Sequence, residues 1–301
     1  MEKDILSHLN EAQREAVRCI EGPVMVIAGA GSGKTRVLTY RIAYMIQQGI
    51  DPFHILALTF TNKAAREMKE RMLQLVGKSE AVNVWMGTFH SIFARILRVE
   101  GHLIGYPAAF AIYDAEDSKR LMKSIIDEMH LDLKIYSPSW VLARISAAKS
   151  RLISVQEYLD STEIQTADRE ANRPETGILY KIYQDRLFRS QAMDFDDLLF
   201  NMNRILQTFP EILFKYQNRF RNILVDEYQD TNFSQYIIIK QLAARFENIC
   251  VVGDDAQSIY SFRGANIQNI FNFKNDYPDY KVFKLEQNYR STKIIVEAAN
   301  K

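Results

Sequence analysis

The sequence predicts an α/β fold in which a parallel β-sheet is flanked by helices and carries an inserted, all-helical subdomain. Short apolar runs of strand length alternate with longer stretches of helical periodicity over residues 24–99. The alternation lapses between about residues 110 and 197, where helical spacing prevails, and apolar runs return at residues 222–225 and 248–252. A helical insert within one α/β domain explains this return better than two domains in tandem.

Three strand–helix pairs are predicted in the first part of the chain. Gly49 and Gly77 directly follow the first two helices, and glycine is the usual residue just past a helix C-terminus. Because a helix follows each strand, we expect the strands to be parallel. The predicted strands are Val24–Ala28, Ile55–Thr61 and Val82–Met86, and the predicted helices are Thr35–Gln48, Lys63–Val76 and Thr88–Val99.

The middle of the chain is predicted to be helical. Asp114 is suited to cap a helix over DAEDSKRLMKSIIDEM, and Glu116 and Asp117 place negative charge in its first turn. Helical spacing also runs through PSWVLARISAAKSRL and TGILYKIYQDRLF.

After Asp279 the pattern changes again. YKVFKLEQNYRS predicts a strand, and STKIIVEAANK predicts a helix that reaches the last residue without a C-terminal stop signal. We therefore expect the chain to be a truncated piece of a longer protein.

Composition places the chain among globular proteins, because 47% of its 301 residues are hydrophobic and 25% are charged. A formal net charge of +1 excludes binding of nucleic acid through overall positive charge, so any site for a polyanion must be a local patch.

Cys19 and Cys250 stand far apart, which favours free thiols over a disulfide or a zinc site. With no apolar signal segment or membrane-length run in the sequence, we expect a cytoplasmic protein that contacts no membrane.

A glycine-rich stretch after the first predicted strand matches the P-loop pattern, except that alanine takes the place of its first glycine. Backbone N–H groups of such a loop surround a phosphate, and the positive end of the next helix adds to the attraction. The lysine then reaches the β/γ-phosphates, and the threonine hydroxyl is a ligand for Mg²⁺. The alternative is a glycine-rich turn that precedes Lys-Thr by chance, which the flanking strand and helix disfavour. The predicted phosphate-binding residues are Ala28, Gly29, Ala30, Gly31, Ser32, Gly33, Lys34 and Thr35.

Hydrolysis requires further groups, and the run ILVDEYQD at residues 223–230 offers two adjacent carboxylates at the end of an apolar strand. We assign Asp226 to the metal, together with Thr35, and Glu227 to the general base that deprotonates the attacking water. An acidic, solvated turn after a strand is the alternative. The P-loop in the same predicted sheet favours the catalytic interpretation.

Six ordered stretches together resemble superfamily 1A DNA helicases of the UvrD/PcrA/Rep type over essentially the whole chain. The resemblance implies a RecA-like P-loop NTPase fold and a protein that uses ATP and Mg²⁺ to move along single-stranded DNA, 3′ to 5′, and to open duplexes at single-strand/double-strand junctions. The stretches are AGAGSGKTRVL, LTFTNKAAREMKERM, GTFHSIFARILR, VDEYQDTN, VVGDDAQSIYSFRGA and LEQNYRS.

The resemblance also implies roles around the nucleotide. Gln13, in LNEAQREAV, would contact the adenine edge through its amide, and Arg36 would lie against the nucleotide. Gln257 would sit near the γ-phosphate and couple it to the DNA site. Tyr289 would stack on adenine, and Arg290 would act as an arginine finger on the transferring phosphoryl group.

DNA contacts are expected from aromatic and small polar residues after the strands. Exposed rings can stack on bases of any sequence, which suits movement along arbitrary DNA. Core packing is the alternative for each ring. Relatives commonly carry Trp at the position of Phe262, and Phe offers less stacking area and no N–H donor. The predicted DNA-binding residues are Phe60, Thr61, Asn62, Thr88, His90, Tyr260, Phe262 and Arg263.

By resemblance, residues 1–108 and 195–279 would form the ATPase domain 1A, residues 109–194 the helical domain 1B, and residues 280–301 the start of a truncated second motor domain, 2A. Such a piece would bind ATP-Mg and single-stranded DNA but hydrolyse ATP poorly, because hydrolysis takes place between two motor domains. Two rival functions remain open. One is the ATPase subunit of a helicase–nuclease, and the other is an ATP-dependent DNA clamp that does not unwind. A P-loop kinase or transporter ATPase would leave QSIYSFRG without a role.

Overall fold

The computed structural model of the chain describes residues 5–29, 31–254 and 268–289. Contacts between residues divide the chain into two compact units. The first comprises Met1–Ile92 and Phe209–Lys301, and the second comprises Phe93–Thr208. The second unit is wider than the insert expected at residues 109–194, because it also includes residues 93–108 and 195–208.

The first unit contains a six-stranded parallel sheet with the strand order β3-β2-β6-β7-β1-β8. The sheet confirms the predicted fold class. Its strands are β1 Val24–Ala28, β2 Ile55–Thr59, β3 Trp85–Thr88, β6 Asn222–Val225, β7 Ile249–Gly253 and β8 Lys281–Leu285, while β4 Ala111–Tyr113 and β5 Ala192–Asp194 lie in the second unit.

The helices follow the predicted strand–helix alternation closely. None of those in the described residues is long and apolar enough to cross a membrane. They are α1 Glu11–Arg18, α2 Lys34–Gln47, α3 Asn62–Val76, α4 Lys78–Ala81, α5 Phe89–Glu100, α6 Ala115–Glu128, α7 Pro138–Ser150, α8 Val155–Asp160, α9 Thr162–Glu170, α10 Thr176–Arg189, α11 Phe195–Thr208, α12 Pro210–Arg219, α13 Phe233–Ala243 and α14 Gln268–Asp276. Short 3-10 helices occupy Ile5–His8, Pro52–His54, Gly101–Ile104 and Tyr228–Asp230.

The central strands are buried along their whole length, as expected for a parallel sheet covered on both faces. Their apolar side chains form one core with residues of α1, α2 and α3. Because the strands are parallel, their carboxyl ends meet at one edge of the sheet, and the chain that leaves this edge includes the predicted phosphate loop and the two adjacent carboxylates Asp226 and Glu227.

Strand β8 corrects the expected boundary at residue 280. It pairs in parallel with β1, with Val24 opposite Lys281 and Ala28 opposite Leu285. Residues 281–285, expected to begin domain 2A, are therefore the edge strand of the first unit's sheet. The helix expected over STKIIVEAANK lies outside the described residues.

The second unit is mainly helical but not all-helical, which is a second correction. Its strands β4 and β5 form a small parallel sheet, with Ile112 opposite Met193. Three-residue strands give no periodicity, and these two are far apart in sequence, so the pattern did not indicate them. The expected cap of α6 is confirmed, because the Asp114 side chain accepts from the backbone N–H groups of Glu116 and Asp117.

We predict that Asp114→Ala lowers the free energy of unfolding of the second unit by about 1 kcal/mol, since it leaves the first N–H groups of α6 without their side-chain acceptor. Urea unfolding followed by the fluorescence of Trp140, in a Trp85→Phe background, measures the change. The exposed Asp127 on the same helix supplies the control, and Asp127→Ala should shift stability by less than about 0.5 kcal/mol. Equal effects of the two substitutions would contradict the capping role.

A buried ionic cluster joins β5, α11 and α7 in the second unit. We call Lys149, Asp194 and Asp197 the Lys149 cluster. Lys149 Nζ lies 2.8 Å from both Asp194 Oδ2 and Asp197 Oδ1. Burial alone would lower the pKa of Lys149, but the two carboxylates outweigh it and hold that pKa well above its ordinary value. Burial, with Asp194 beside it, raises the pKa of Asp197 to about 7.

Candidate nucleotide-binding site

The predicted phosphate loop joins the carboxyl end of β1 to the N-terminus of α2. Gly31 and Gly33 have φ angles of 74° and 89°, a region that side chains disfavour. A Cβ atom at Gly33 would also lie 3.0 Å from Gln13 Nε2. Since Gly33 is the N-cap of α2, the positive end of the helix is directed at the loop. Ala30 lies outside the described residues.

Sheet order brings the two predicted halves of the site together. Strands β6, β7 and β1 are neighbours, so the residues after them share one edge. The Thr35 hydroxyl donates to Asp226 Oδ2 over 3.2 Å. Lys34 Nζ lies 3.1 Å from Glu227 Oε2 and 3.9 Å from Asp254 Oδ2.

The two adjacent carboxylates have different environments. Asp226 is 1% exposed, and burial, followed by the charge of Glu227, raises its pKa to about 7. The Glu227 side chain is 35% exposed, which leaves it accessible to water. Glu227 also has left-handed backbone angles, φ 51° and ψ 46°, at the turn after β6. Such angles are uncommon for a residue with a side chain.

The donor set around Asp226 fits a magnesium ion. A hydroxyl oxygen from Thr35 and a carboxylate oxygen from Asp226 are hard ligands of the kind that Mg²⁺ takes. In the described residues, no cluster of three or more His, Cys, Asp or Glu could hold a metal by itself. A magnesium site commonly has one or two protein ligands and completes its shell with water and phosphate oxygens.

Gln13 and Tyr289 both contact the phosphate loop. Gln13 is buried, its Oε1 accepts from the backbone N–H of Asn10 over 3.2 Å, and its Nε2 donates to the carbonyl of Ser32 over 3.1 Å. The backbone N–H of Tyr289 donates to the carbonyl of Gly31 over 2.9 Å, and its hydroxyl accepts from Asn10 Nδ2 over 2.7 Å. The Tyr289 ring is 54% exposed. Adenine contact by either residue stays a prediction.

Arg36 lies on the first turn of α2, next to the loop. Its NH2 group donates to the carbonyl of His8 over 2.8 Å, and its guanidinium lies 5.4 Å from the centre of the Tyr40 ring. These contacts hold the arginine beside the loop, and its contact with nucleotide stays a prediction. Other predicted site residues lie outside the described part of the chain, namely Gln257, Tyr260, Phe262, Arg263 and Arg290.

The remaining predicted DNA-binding residues follow β2 and β3, which are neighbours with Thr59 opposite Thr88. Phe60 is half-buried, with its ring 5.6 Å from that of Phe89. Thr61 caps α3, and Asn62 is the exposed first residue of that helix. These residues lie at the carboxyl edge of the sheet, after the two neighbouring strands β2 and β3.

Thr88 and His90 have structural partners of their own. The Thr88 side chain is buried and accepts from the backbone N–H of Ser91 over 3.2 Å. Burial lowers the pKa of His90, so its imidazole tends towards the neutral form. DNA contact by these two residues stays a prediction.

Sequence reasoning missed two residues at the centre of the site. Asp254, at the end of β7, lies near Lys34, and Gln229 bonds both to Glu227 and to the backbone of Asp254. A polar residue at the end of a buried strand was a usable signal for Asp254. No such signal marked Gln229, because its position depends on the tight turn at Glu227.

Comparisons with known proteins identify a family for the chain. The model of the UvrD/REP helicase N-terminal domain matches residues 9–278. The chain is 47% identical over 297 residues to ATP-dependent DNA helicase PcrA of Staphylococcus aureus and 48% identical over 300 residues to that of Staphylococcus epidermidis. Each match covers 98% of this chain and 40% of the relative, so the chain spans less than half the length of these relatives. The chain belongs to the UvrD/REP helicase N-terminal domain family.

Proposed function

We propose that the whole protein is an ATP-dependent DNA helicase and that this chain supplies its nucleotide site and part of its DNA surface. The observation that carries the proposal is the meeting of Thr35 with Asp226 and of Lys34 with Glu227, at 3.2 and 3.1 Å. A protein that only bound nucleotide would need no water-accessible carboxylate beside a metal-binding one. The names of the two PcrA relatives support the same activity.

In this proposal each residue has a separate task. The loop from Gly29 to Gly33 and the N-terminus of α2 bind the phosphates, and Lys34 engages the β- and γ-phosphates. Thr35 and Asp226 would hold Mg²⁺, which supplies positive charge against the charge that develops on the phosphoryl oxygens. Glu227 orients the attacking water and accepts its proton.

The DNA part of the proposal rests on position. Phe60, Thr61 and Asn62 follow β2, and β2 lies directly beside β6, which ends at the catalytic carboxylates. A shift at these carboxylates can therefore reach the DNA-facing loop through one pair of strands. We further propose 3′-to-5′ movement on single-stranded DNA, a preference for junctions, dependence on a second motor domain, and a cytoplasmic location.

Removal of the Lys34 side chain tests nucleotide binding directly. Lys34→Ala is expected to weaken binding of Mg-ATP to this chain about 10- to 100-fold, the value of a hydrogen bond to a charged group. Calorimetric titration measures the change, with chelation of Mg²⁺ as a second condition expected to weaken binding. Lys181→Ala, on the exposed face of α10, is the matched control. Wild-type affinity in Lys34→Ala would refute the site.

The whole protein tests the motor function. It is expected to separate a duplex with a 3′ single-stranded tail when ATP and Mg²⁺ are present, and Lys34→Ala should abolish this. DNA-stimulated hydrolysis without strand separation would favour the clamp instead.

A further inference from the structure

Gln229 lies between Glu227, the proposed base, and the backbone of Asp254, which directly follows β7. Its Nε2 donates to Glu227 Oε2 over 2.8 Å, and its Oε1 accepts from the backbone N–H of Asp254 over 3.1 Å. Gln229 is only 1% exposed, so water does not compete with either bond. One amide group thus joins the carboxylate of Glu227 to the backbone at the end of β7.

The surroundings of Gln229 leave room for this amide and little else. A Cβ atom at Gly253 would lie 2.9 Å from Gln229 Oε1, closer than real Cβ atoms come to a neighbour. The 3-10 turn Tyr228–Asp230 holds the backbone of Gln229, and the Tyr228 ring packs edge-on against Phe273 at 5.9 Å. The amide is therefore held by its two hydrogen bonds and lies close to Gly253, while the turn fixes the backbone of Gln229.

The other partner of Glu227 cannot hold it during hydrolysis. Lys34 is expected to engage the phosphates, and a lysine so engaged gives up its 3.1 Å contact with Glu227. Gln229 has no such competing task. A neutral amide also orients a carboxylate without neutralising it, whereas a cation would favour its charged form and make it a weaker base.

We propose that Gln229 is a positioning residue for hydrolysis, which directs the carboxylate of Glu227 towards the attacking water and ties that direction to the backbone at Asp254. The inference rests on the proposed function, in which Glu227 is the base. Through Gln229, the base is also connected to Asp254. The sequence predicts contacts with the γ-phosphate and DNA for residues that follow Asp254.

The test uses two variants of the whole protein, with ATP turnover measured in the presence of oligo(dT). Gln229→Met keeps the length of the side chain and removes both hydrogen bonds. It should lower kcat about 10- to 100-fold, because small displacements of a reacting group are costly, and leave KM for ATP within about twofold. Gln229→Leu has a similar volume and neither donor nor acceptor, so it should lower kcat to a similar extent.

Gln235→Met is the matched control. Gln235 is also buried, lies six residues further along, and accepts from the backbone N–H of Asn232 in the capping box of α13. This variant should lower Tm and leave kcat unchanged, so that loss of a buried amide is separated from loss of positioning.

The outcomes separate the inference from the function on which it rests. If the wild-type protein does not hydrolyse ATP, both fall. If the wild type is active and Gln229→Met keeps its kcat, or raises KM alone, the positioning role is overturned while the function stands. Near wild-type turnover in Gln229→Leu would likewise overturn it, since the bond to Glu227 would then be dispensable.

Discussion

Replacement of Glu227 by Gln is expected to lower the rate of ATP hydrolysis about 10²- to 10⁴-fold in the whole protein, the usual contribution of a general base. Gln has the same shape but cannot accept a proton from the attacking water. Binding of Mg-ATP should persist, because Lys34, Thr35 and Asp226 remain in place. Steady-state turnover with single-stranded DNA and calorimetric titration of ATP together measure the two quantities.

Glu247 supplies a matched control for this substitution. It is an exposed glutamate that also has a left-handed backbone, with φ 53°, and it lies before the amino end of β7, away from the carboxyl edge of the sheet. Glu247→Gln should leave turnover unchanged. Persistent turnover in Glu227→Gln would show that the base is another group.

Replacement of Lys149 by Met is expected to destabilise the second unit by about 3–5 kcal/mol, the usual result of removing one partner from a buried ion pair. Lys149 is 1% exposed, and its loss leaves Asp194 and Asp197 buried side by side without a cation. The Asp194 carboxylate also accepts from the backbone N–H of Asp197 in α11, and the Asp197 carboxylate accepts from the backbone N–H of Asp194 in β5, so the junction of β5 and α11 should loosen with them. Urea unfolding with Trp140 fluorescence, in the Trp85→Phe background, measures the loss.

Two further variants show whether charge is the cause. Lys181→Met removes an exposed lysine and should change stability by less than about 0.5 kcal/mol. Adding Asp194→Asn and Asp197→Asn to Lys149→Met should restore part of the lost stability, because no charge then stays buried without a partner. If the triple variant is no more stable than Lys149→Met, the loss comes from packing.

Most of the sheet was predictable because parallel strands in a covered sheet are short, apolar and bounded by turn residues. Val24–Ala28 is bounded by Pro23 and Gly29, and its predicted ends agree with the structure. The third strand was predicted at Val82–Met86 but begins at Trp85, because α4 ends just before Val82, whose side chain is 64% exposed. Apolar character alone does not show which face of the chain is buried.

The candidate site was predictable to the extent that it depends on strand ends. Lys34 with Glu227, and Thr35 with Asp226, follow strands that the topology places close together, so their proximity follows from the pattern. Gln229 depends on a left-handed residue in a tight turn, which the sequence does not mark. The charges of the Lys149 cluster come from distant parts of the chain, and helical periodicity gives no sign of their meeting.

Strand β8 has a mechanical consequence for the phosphate loop. It ends at Leu285, and Tyr289, bonded to the carbonyl of Gly31, follows after only three intervening residues, 286–288. A linker of three residues spans at most about 11 Å even when fully extended. A displacement of the chain at Tyr289 should therefore act on both β8 and the carbonyl of Gly31, with little slack between them.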